Sequence, residues 1–96
     1  MAKKPCVYIL SNRKNGAMYV GVSANLTERI HTHKQNKPGS FSAKYSIVRL
    51  VHVEFFETMI DAITREKQIK NWKRGWKVNL IEQDNPDWND LYERIN

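Results

Sequence analysis

The chain has 96 residues, of which 41% are apolar and 27% are charged, a balance typical of one small globular domain. No apolar run reaches the roughly 20 residues of a membrane-spanning helix, and the basic start MAKKPC lacks the apolar stretch of a secretory signal. Cys6 is the one cysteine, which excludes an internal disulfide and a cysteine-based zinc site. We therefore expect a single cytoplasmic domain over residues 1–96.

Positive charge is concentrated in one segment of the chain. Lys and Arg outnumber Asp and Glu by 16 to 10, which gives a net charge of +6. Residues 65–77 hold most of the excess, with Glu66 as their one acid, whereas the residues after 77 are mainly acidic. A basic surface beside an acidic tail suits a polyanion such as nucleic acid. The alternative is a helix surface that is only solvated.

Two strands are predicted at about residues 6–11 and 17–22, with an Asn-Gly turn signal between them. A four-residue loop places Tyr8 opposite Gly21 and makes Tyr8 and Tyr19 diagonal neighbours on one face of the hairpin. Glycine weakens a strand and often marks the close approach of a ligand or another backbone. The two phenols are then predicted to line a notch with open space beside Tyr8, although strand propensity alone would also explain them.

A first helix is predicted to begin after Asn25, where Glu28 completes a capping-box pattern, and to end before Pro38-Gly39. Residues 36–46 are then predicted to form a loop.

The inward stripe of this helix carries polar residues. His33 follows Leu26 and Ile30 on that stripe, and Arg29 lies at its edge. Arg29 either has a functional role or buries its stem and keeps its guanidinium in water. His33 is either functional or a boundary histidine, and His31, which points about 160° away from it, is the weaker candidate.

The longest β-rich run, residues 47–57, is predicted to be the central strand. A second helix is predicted from Thr58 to about Lys73, with Gly75 as a break before a further helical stretch. Asn85 is predicted to cap a last helix that has proline at its first position. The core stripe of that helix would consist of Trp88, Leu91, Tyr92 and Ile95.

The second helix has a carboxylate on its apolar stripe. The stripe is formed by Met59, Ala62, Ile63, Glu66, Ile69 and Lys70. A carboxylate is rarely buried without a partner. Glu66 is therefore expected to hold a divalent cation, or to pair with Arg29 or with a lysine of its own helix.

These elements predict an α/β (α+β) sandwich in which helices flank a three-stranded, mainly antiparallel sheet. The residues that can face one notch of this fold are Tyr8, Tyr19, Arg29, His33 and Glu66. Phosphoryl transfer uses these residue types, because arginine binds phosphate oxygens in a bidentate manner and one carboxylate suffices for a hydrated Mg²⁺. A tyrosine has a reference pKa of about 10, so a role as base requires a metal or cationic neighbours.

The order of these motifs resembles the GIY-YIG nuclease family, of the short stand-alone type. The two name motifs correspond to Cys6-Val7-Tyr8 and Tyr19-Val20-Gly21, with cysteine in place of the first glycine. The segment LTERIHTH aligns Arg29 with the family's catalytic arginine and His33 with its recurring His/Tyr position. The segment REKQIKNWKR places Glu66 at the metal-binding glutamate.

The resemblance implies metal-dependent hydrolysis of a DNA phosphodiester bond. Glu66 would hold one Mg²⁺ or Mn²⁺, and Arg29 would stabilise the transition state. Orientation or deprotonation of the attacking water would be shared among Tyr8, Tyr19 and His33. The residues expected to contact nucleic acid are Lys67, Lys70, Lys73, Arg74, Lys77 and Asn85. The last of these matches the family's C-terminal asparagine region but would also serve as a helix cap.

The resemblance favours a DNA endonuclease with one metal ion per site, and a protein partner is expected to supply specificity. The alternatives are a nucleic-acid-binding module of the same fold with little or no catalytic activity, and an interaction domain whose basic face is only solvated. Trp72 and Trp76 either stack on bases or anchor a bent helix pair, and we expect the second role for Trp72.

Overall fold

The structure, a computed structural model, describes residues 4–34 and 47–95, without the side chains of His33 and Lys34. The loop predicted at residues 36–46 lies outside the described residues. The strands are β1 (Cys6–Ser11), β2 (Met18–Ser23) and β3 (Arg49–Phe55). The helices of the described part are α1 (Leu26–Lys34), α2 (Met59–Lys70), α3 (Arg74–Asp84) and α4 (Tyr92–Ile95).

The strands form one antiparallel sheet in the order β2-β1-β3, which confirms the predicted fold class. The prediction that β3 is the central strand was wrong, because β1 lies in the middle and all six of its residues are buried. A nearly continuous apolar run such as CVYILS is typical of a strand covered on both faces. β3 is an edge strand, where its polar residues Arg49, His52 and Glu54 are tolerated.

A β-bulge in β3 decides which of its side chains face which helices. Ile9 pairs with His52 but Leu10 pairs with Leu50, so Val51 is the extra residue. Because opposite residues share a face of the sheet, His52 lies on the same face as Ile9. The bulge therefore interrupts the simple alternation of β3.

Each face of the sheet has its own hydrophobic core. The α1 face, covered by α1 and α4, buries Cys6, Tyr8, Leu10, Leu26, Ile30, Ile47, Leu50 and Ile95. The α2 face, covered by α2 and α3, buries Val7, Ile9, Val20, Val51, Ala62, Ile69, Ile81 and Trp88. None of the helices in the described ranges is long and apolar enough to cross a membrane.

Capping residues determine where the helices begin and end. Asn25 accepts the backbone N–H of Glu28 at 3.4 Å, which confirms the predicted cap. Thr58 accepts that of Asp61 at 3.2 Å, which confirms the predicted start of the second helix. The break between α2 and α3 lies at residues 71–73 rather than at Gly75, which is the second residue of α3.

The predicted helix beginning at Pro86 was wrong. Asn85 ends α3 as its C-cap, and Trp88 has a φ of 56°, which a right-handed helix does not accommodate. The proposed core stripe is consequently divided between the two cores. Trp88 packs on the α2 face, whereas Leu91, Tyr92 and Ile95 pack on the α1 face.

The chain passes from one face to the other around the free edge of β3. Leu91 donates its backbone N–H to the carbonyl of Leu50 at 2.7 Å, and Leu50 donates to the Asp90 carboxylate at 3.2 Å. These bonds satisfy backbone groups of an edge that would otherwise be open to pairing with another strand.

Candidate active site

Tyr8 and Gly21 lie opposite each other in the β1–β2 hairpin. They pair directly, as the four-residue loop predicts, and Tyr8 is 1% exposed. A Cβ on Gly21 would lie 2.5 Å from both Cζ and the hydroxyl oxygen of Tyr8. The group that approaches Gly21 closely is therefore the Tyr8 ring and not a ligand. The open space that was expected next to Gly21 is occupied by this ring.

Tyr19 lies beside Tyr8 on the same face, at the outer side of the hairpin. It pairs with Leu10, is half-buried, and meets the Tyr8 ring edge to face with 6.3 Å between ring centroids and 64° between planes. One phenol is thus enclosed in the core, whereas its neighbour reaches the surface.

The geometry of α1 places Arg29 at the surface. Leu26 and Ile30 are fully buried and fix the inward stripe of the helix, and Arg29 lies exposed at its edge. A cavity of about 260 Å³ opens beside it. Its lining residues are Ser23, Asn25, Glu28, Arg29 and Thr32. The sequence reasoning missed Ser23 and Thr32, although Thr32 lies one helical turn after Arg29 and could have been found from that spacing.

The pKa of Tyr8 is shifted by its burial and by the side chains of Tyr19, Arg29 and Glu66. Burial raises the pKa of Tyr8 well above its ordinary value, and the neighbouring Tyr19 phenol raises it further. The positive charge of Arg29 lowers the pKa of Tyr8, whereas the carboxylate of Glu66 raises it. Tyr8 is consequently a neutral hydroxyl at pH 7. We call the group of Tyr8, Tyr19, Arg29 and Glu66 the tyrosine notch.

Glu66 lies on α2, which packs against β1 and β2. Its side chain is 13% exposed and pairs with Lys70 of the next turn, with 2.9 Å between Oε2 and Nζ. Of the partners predicted for Glu66, the lysine of its own helix is the one observed. His33 lies in α1, but its side chain is outside the described residues.

The donor atoms at the notch limit what kind of metal site is feasible. No group of three or more His, Cys, Asp or Glu side chains converges in residues 4–34 and 47–95. A site built from several protein ligands, as zinc requires, does not fit these residues. A single carboxylate fits one largely hydrated Mg²⁺ or Mn²⁺, because Mg²⁺ is usually held by one or two carboxylates and keeps several waters.

The residues predicted to contact nucleic acid differ in their surroundings. Lys67, Lys70 and Lys73 are exposed. Arg74 donates to the carbonyls of Asn15 and Gly16 at 2.6 and 2.8 Å, which ties the start of α3 to the hairpin turn.

Asn85 is 6% exposed, and backbone groups engage both ends of its carboxamide. Its Nδ2 donates to the carbonyls of Val51 and Asn89, and its Oδ1 accepts from the N–H of Asn89. These bonds support the structural role that was the alternative for Asn85, although at the end of α3 rather than at the beginning of a new helix. Lys77, the remaining member of the set, is half-buried.

A second charged cluster was not anticipated from the sequence. Arg65 donates Nε and Nη2 to the two oxygens of Glu54 at 2.8 and 3.2 Å, and His52 lies 2.8 Å from Glu54 Oε2. The hydrogen bonds from His52 and Arg65 lower the pKa of Glu54 to about 2, against the opposing effect of burial. We call these three residues the Glu54 network. Arg65 had been counted with the basic face, but the network places it in an ion pair.

Known proteins resemble this chain over nearly its whole length. A family model for the GIY-YIG catalytic domain matches residues 4–79. A UPF0213 protein of Staphylococcus haemolyticus is 34% identical over 80 residues, covering 83% of this chain and 96% of the relative. A UPF0213 protein of Syntrophus aciditrophicus is 35% identical over 88 residues, covering 88% of this chain and 95% of the relative. The name UPF0213 assigns these relatives no activity.

The solution NMR structure of a UPF0213 protein from Bacillus halodurans has the same fold. It superimposes with a TM-score of 0.57 at 25% identity and covers 92% of this chain and 93% of its own. The fold predicted from the sequence is therefore confirmed by an experimental structure as well as by the sheet described above.

Proposed function

The chain belongs to the GIY-YIG family, and on that basis we propose that it is a metal-dependent endonuclease that hydrolyses phosphodiester bonds of DNA. The observation that supports the proposal is that Tyr19, Arg29 and Glu66, from three separate elements, all act electrostatically on Tyr8. The β1–β2 hairpin supplies both phenols, α1 supplies the guanidinium and α2 supplies the carboxylate.

The positions of the four groups favour distinct roles. Glu66 would hold one Mg²⁺ or Mn²⁺, which would neutralise charge that builds up on the phosphate. Arg29 is exposed and donates hydrogen bonds to the phosphate oxygens that become more negative in the transition state. The Lys70 ammonium, now paired with Glu66, lies next to the same phosphate.

The two tyrosines have different roles toward the attacking water. Burial raises the pKa of Tyr8, which favours its hydroxyl as a hydrogen-bond donor to the water over a role as the base. Tyr19 reaches the surface of the hairpin and orients the water for attack on phosphorus. Three further expectations stay predictions. They are that His33 takes part in the proton transfer, that a protein partner supplies specificity, and that the protein is cytoplasmic.

One observation favours a second candidate, a nucleic-acid-binding module with little or no activity. The ion pair between Glu66 and Lys70 occupies one carboxylate oxygen, and a divalent cation must compete with it. In a protein that only binds DNA, that pair would be permanent and the cation would have no role.

Cleavage assays with branched, nicked, single-stranded and double-stranded DNA in Mg²⁺, Mn²⁺ or EDTA test the proposal. We expect metal-dependent cleavage by the wild type and none by Glu66→Gln, which keeps the side-chain volume but removes the negative charge. DNA binding in EDTA should stay the same or tighten, because a negative charge near phosphate is lost.

The matched control is Glu57→Gln, since the Glu57 side chain is 87% exposed and pairs only with Lys4 among the described residues. This variant should cut like the wild type. Cleavage by Glu66→Gln would contradict the proposal, and tight DNA binding without cleavage of any substrate would establish the binding module instead.

A further inference from the structure

A second cavity lies away from the tyrosine notch, on the surface of α3. Its volume is about 300 Å³. The residues that line it are Trp72, Trp76, Asn79, Leu80 and Gln83. Trp76 is 59% exposed, which is unusual for so large an apolar side chain, whereas Trp72 is half-buried against the core of the α2 face. We call this cavity the Trp76 pocket.

The aromatic wall of the pocket is held in place from behind. The two indole rings meet edge to face, with 5.9 Å between centroids and 70° between planes. The Arg65 guanidinium lies 5.0 Å from the centroid of the Trp72 ring, and Arg65 is itself fixed by the bidentate contact with Glu54. This chain of contacts restricts Trp72 and, through it, Trp76, so that little ordering is needed when a flat ligand binds.

The polar groups of the pocket are suited to the edge of a nucleobase. Asn79 and Gln83 follow Trp76 by three and seven residues, so all three lie on one face of α3. Carboxamides donate and accept hydrogen bonds side by side, which is how Asn and Gln pair with base edges. An aromatic ring beside two carboxamides thus offers stacking and edge recognition together.

Positive charge at the end of the pocket where α3 begins favours a polyanion over a protein partner. Lys73 directly precedes α3 and Lys77 follows Trp76, whereas the acids Glu82 and Asp84 flank Gln83 at the other end. Lys70 ends the helix that carries Glu66, so cations continue along the chain from the notch to the pocket. A purely apolar partner would gain nothing from these charges, whereas a phosphate backbone would be bound by them.

We propose that the Trp76 pocket binds one unpaired base of the DNA strand that the tyrosine notch cuts. This inference rests on the proposed function and narrows its substrate class to DNA with a single-stranded, flapped or branched part. The pocket is at the lower end of the roughly 300–1,000 Å³ of small-molecule sites, which suits a single base. A base inside a duplex is stacked on both faces and cannot enter unless it leaves the helix.

The test measures binding in EDTA, where no metal-dependent cleavage takes place, with three fluorescein-labelled probes of equal length. These are a DNA single strand, the corresponding blunt duplex, and a strand in which the central nucleotides are abasic. Trp76→Ala should weaken binding of the single strand roughly tenfold, since stacking of one base on an aromatic side chain is of that order. It should change binding of the duplex and of the abasic strand less than twofold.

Two further variants keep the result specific. Trp76→Phe retains an aromatic face and should restore most of the single-strand affinity. Ile60→Ala removes another exposed apolar side chain, 76% exposed on α2, and should leave all three affinities unchanged. Melting temperatures of all variants establish that each is folded.

Equal losses for all three probes, or no loss for any, would overturn the inference. So would a concentration-dependent dimer of the wild type that Trp76→Ala abolishes, because the pocket would then hold a second copy of the chain. A base-dependent loss in a protein that cuts no DNA would support the pocket while refuting the nuclease, so the two proposals fail separately.

Discussion

Two glutamates on neighbouring elements of this protein have opposite environments. Glu54 is bound by Nε and Nη2 of Arg65 and by His52, and its pKa is lowered to about 2. Glu66, in the described part of the chain, has one ion pair, with a lysine whose side chain is 52% exposed. A carboxylate whose oxygens are saturated by rigid donors contributes to stability and is unavailable to a ligand. A carboxylate with one flexible partner can exchange that partner for a cation.

The arginines show the same difference. The Arg65 guanidinium pairs with Glu54 and lies over the Trp72 ring, whereas Arg29 lies exposed beside a polar cavity. Residues of the same type in one small domain thus differ in role according to the number of partners around them. Those with several partners stabilise the fold, and those with few are available to a ligand. Each functional residue has a structural counterpart of the same chemistry, so paired substitutions test this contrast.

The largest expected effect is on cleavage by Arg29→Ala. Removing a preorganised donor to the transition state should lower the cleavage rate by roughly 10²–10³-fold, with little change in melting temperature because Arg29 is exposed. Arg65→Ala should do the reverse, lowering stability by roughly 2 kcal/mol, while the folded fraction keeps its single-turnover rate at saturating enzyme, where weaker substrate binding does not limit cleavage. Single-turnover cleavage and thermal melting on the same samples measure both effects, and a matching loss of stability in Arg29→Ala would remove the contrast.

A smaller effect is expected on the pH dependence of stability through Glu54. Its pKa is lower in the folded protein than the ordinary 4.5, so the stability it contributes is present above about pH 4.5 and is lost as pH falls toward 2. The difference between a pKa of 4.5 and one of about 2 corresponds to roughly 3–4 kcal/mol, because one pKa unit is about 1.4 kcal/mol. Glu54→Gln should therefore lower the free energy of unfolding at pH 7 and flatten its decline in acid.

Urea unfolding between pH 7 and pH 3 checks this prediction, with Glu57→Gln as the exposed control. Parallel curves for wild type and Glu54→Gln over that range would mean that the Glu54 network contributes no net stability.

The smallest effect is expected on metal affinity through Lys70. An ion pair one turn apart on a helix is worth about 0.3–0.5 kcal/mol, and the Lys70 end of this pair is 52% exposed. Removing the lysine should therefore raise the affinity of Glu66 for Mn²⁺ about twofold. Lys67→Ala makes the same change in net charge on the same helix and is the control. Titration of Mn²⁺ into both variants measures the difference, and weaker binding by Lys70→Ala would mean that the lysine supports the site.

The composition of the chain and its local patterns determined much of this protein. The Asn-Gly signal and strand alternation placed Tyr8 opposite Gly21, and the side chains of Asn25 and Thr58 marked where two helices begin. These features depend on neighbours within a few residues, so the sequence contains them directly. The stripe of α2 likewise placed Glu66 in a mostly buried position before any fold was known.

Only the tertiary structure decided the features that depend on distant parts of the chain. The order of the strands depends on which strand is covered on both faces, and that strand is β1. The long β-rich run of β3 made it resemble a central strand, but a bulge at Val51 interrupts its alternation. The spacing from Trp88 to Ile95 matches a helix, yet the chain crosses the edge of β3 there because the two cores lie on opposite sides of the sheet. The pairing of Glu54 with Arg65, eleven residues apart, exists only where β3 and α2 pack together, and no spacing rule within one element predicts it.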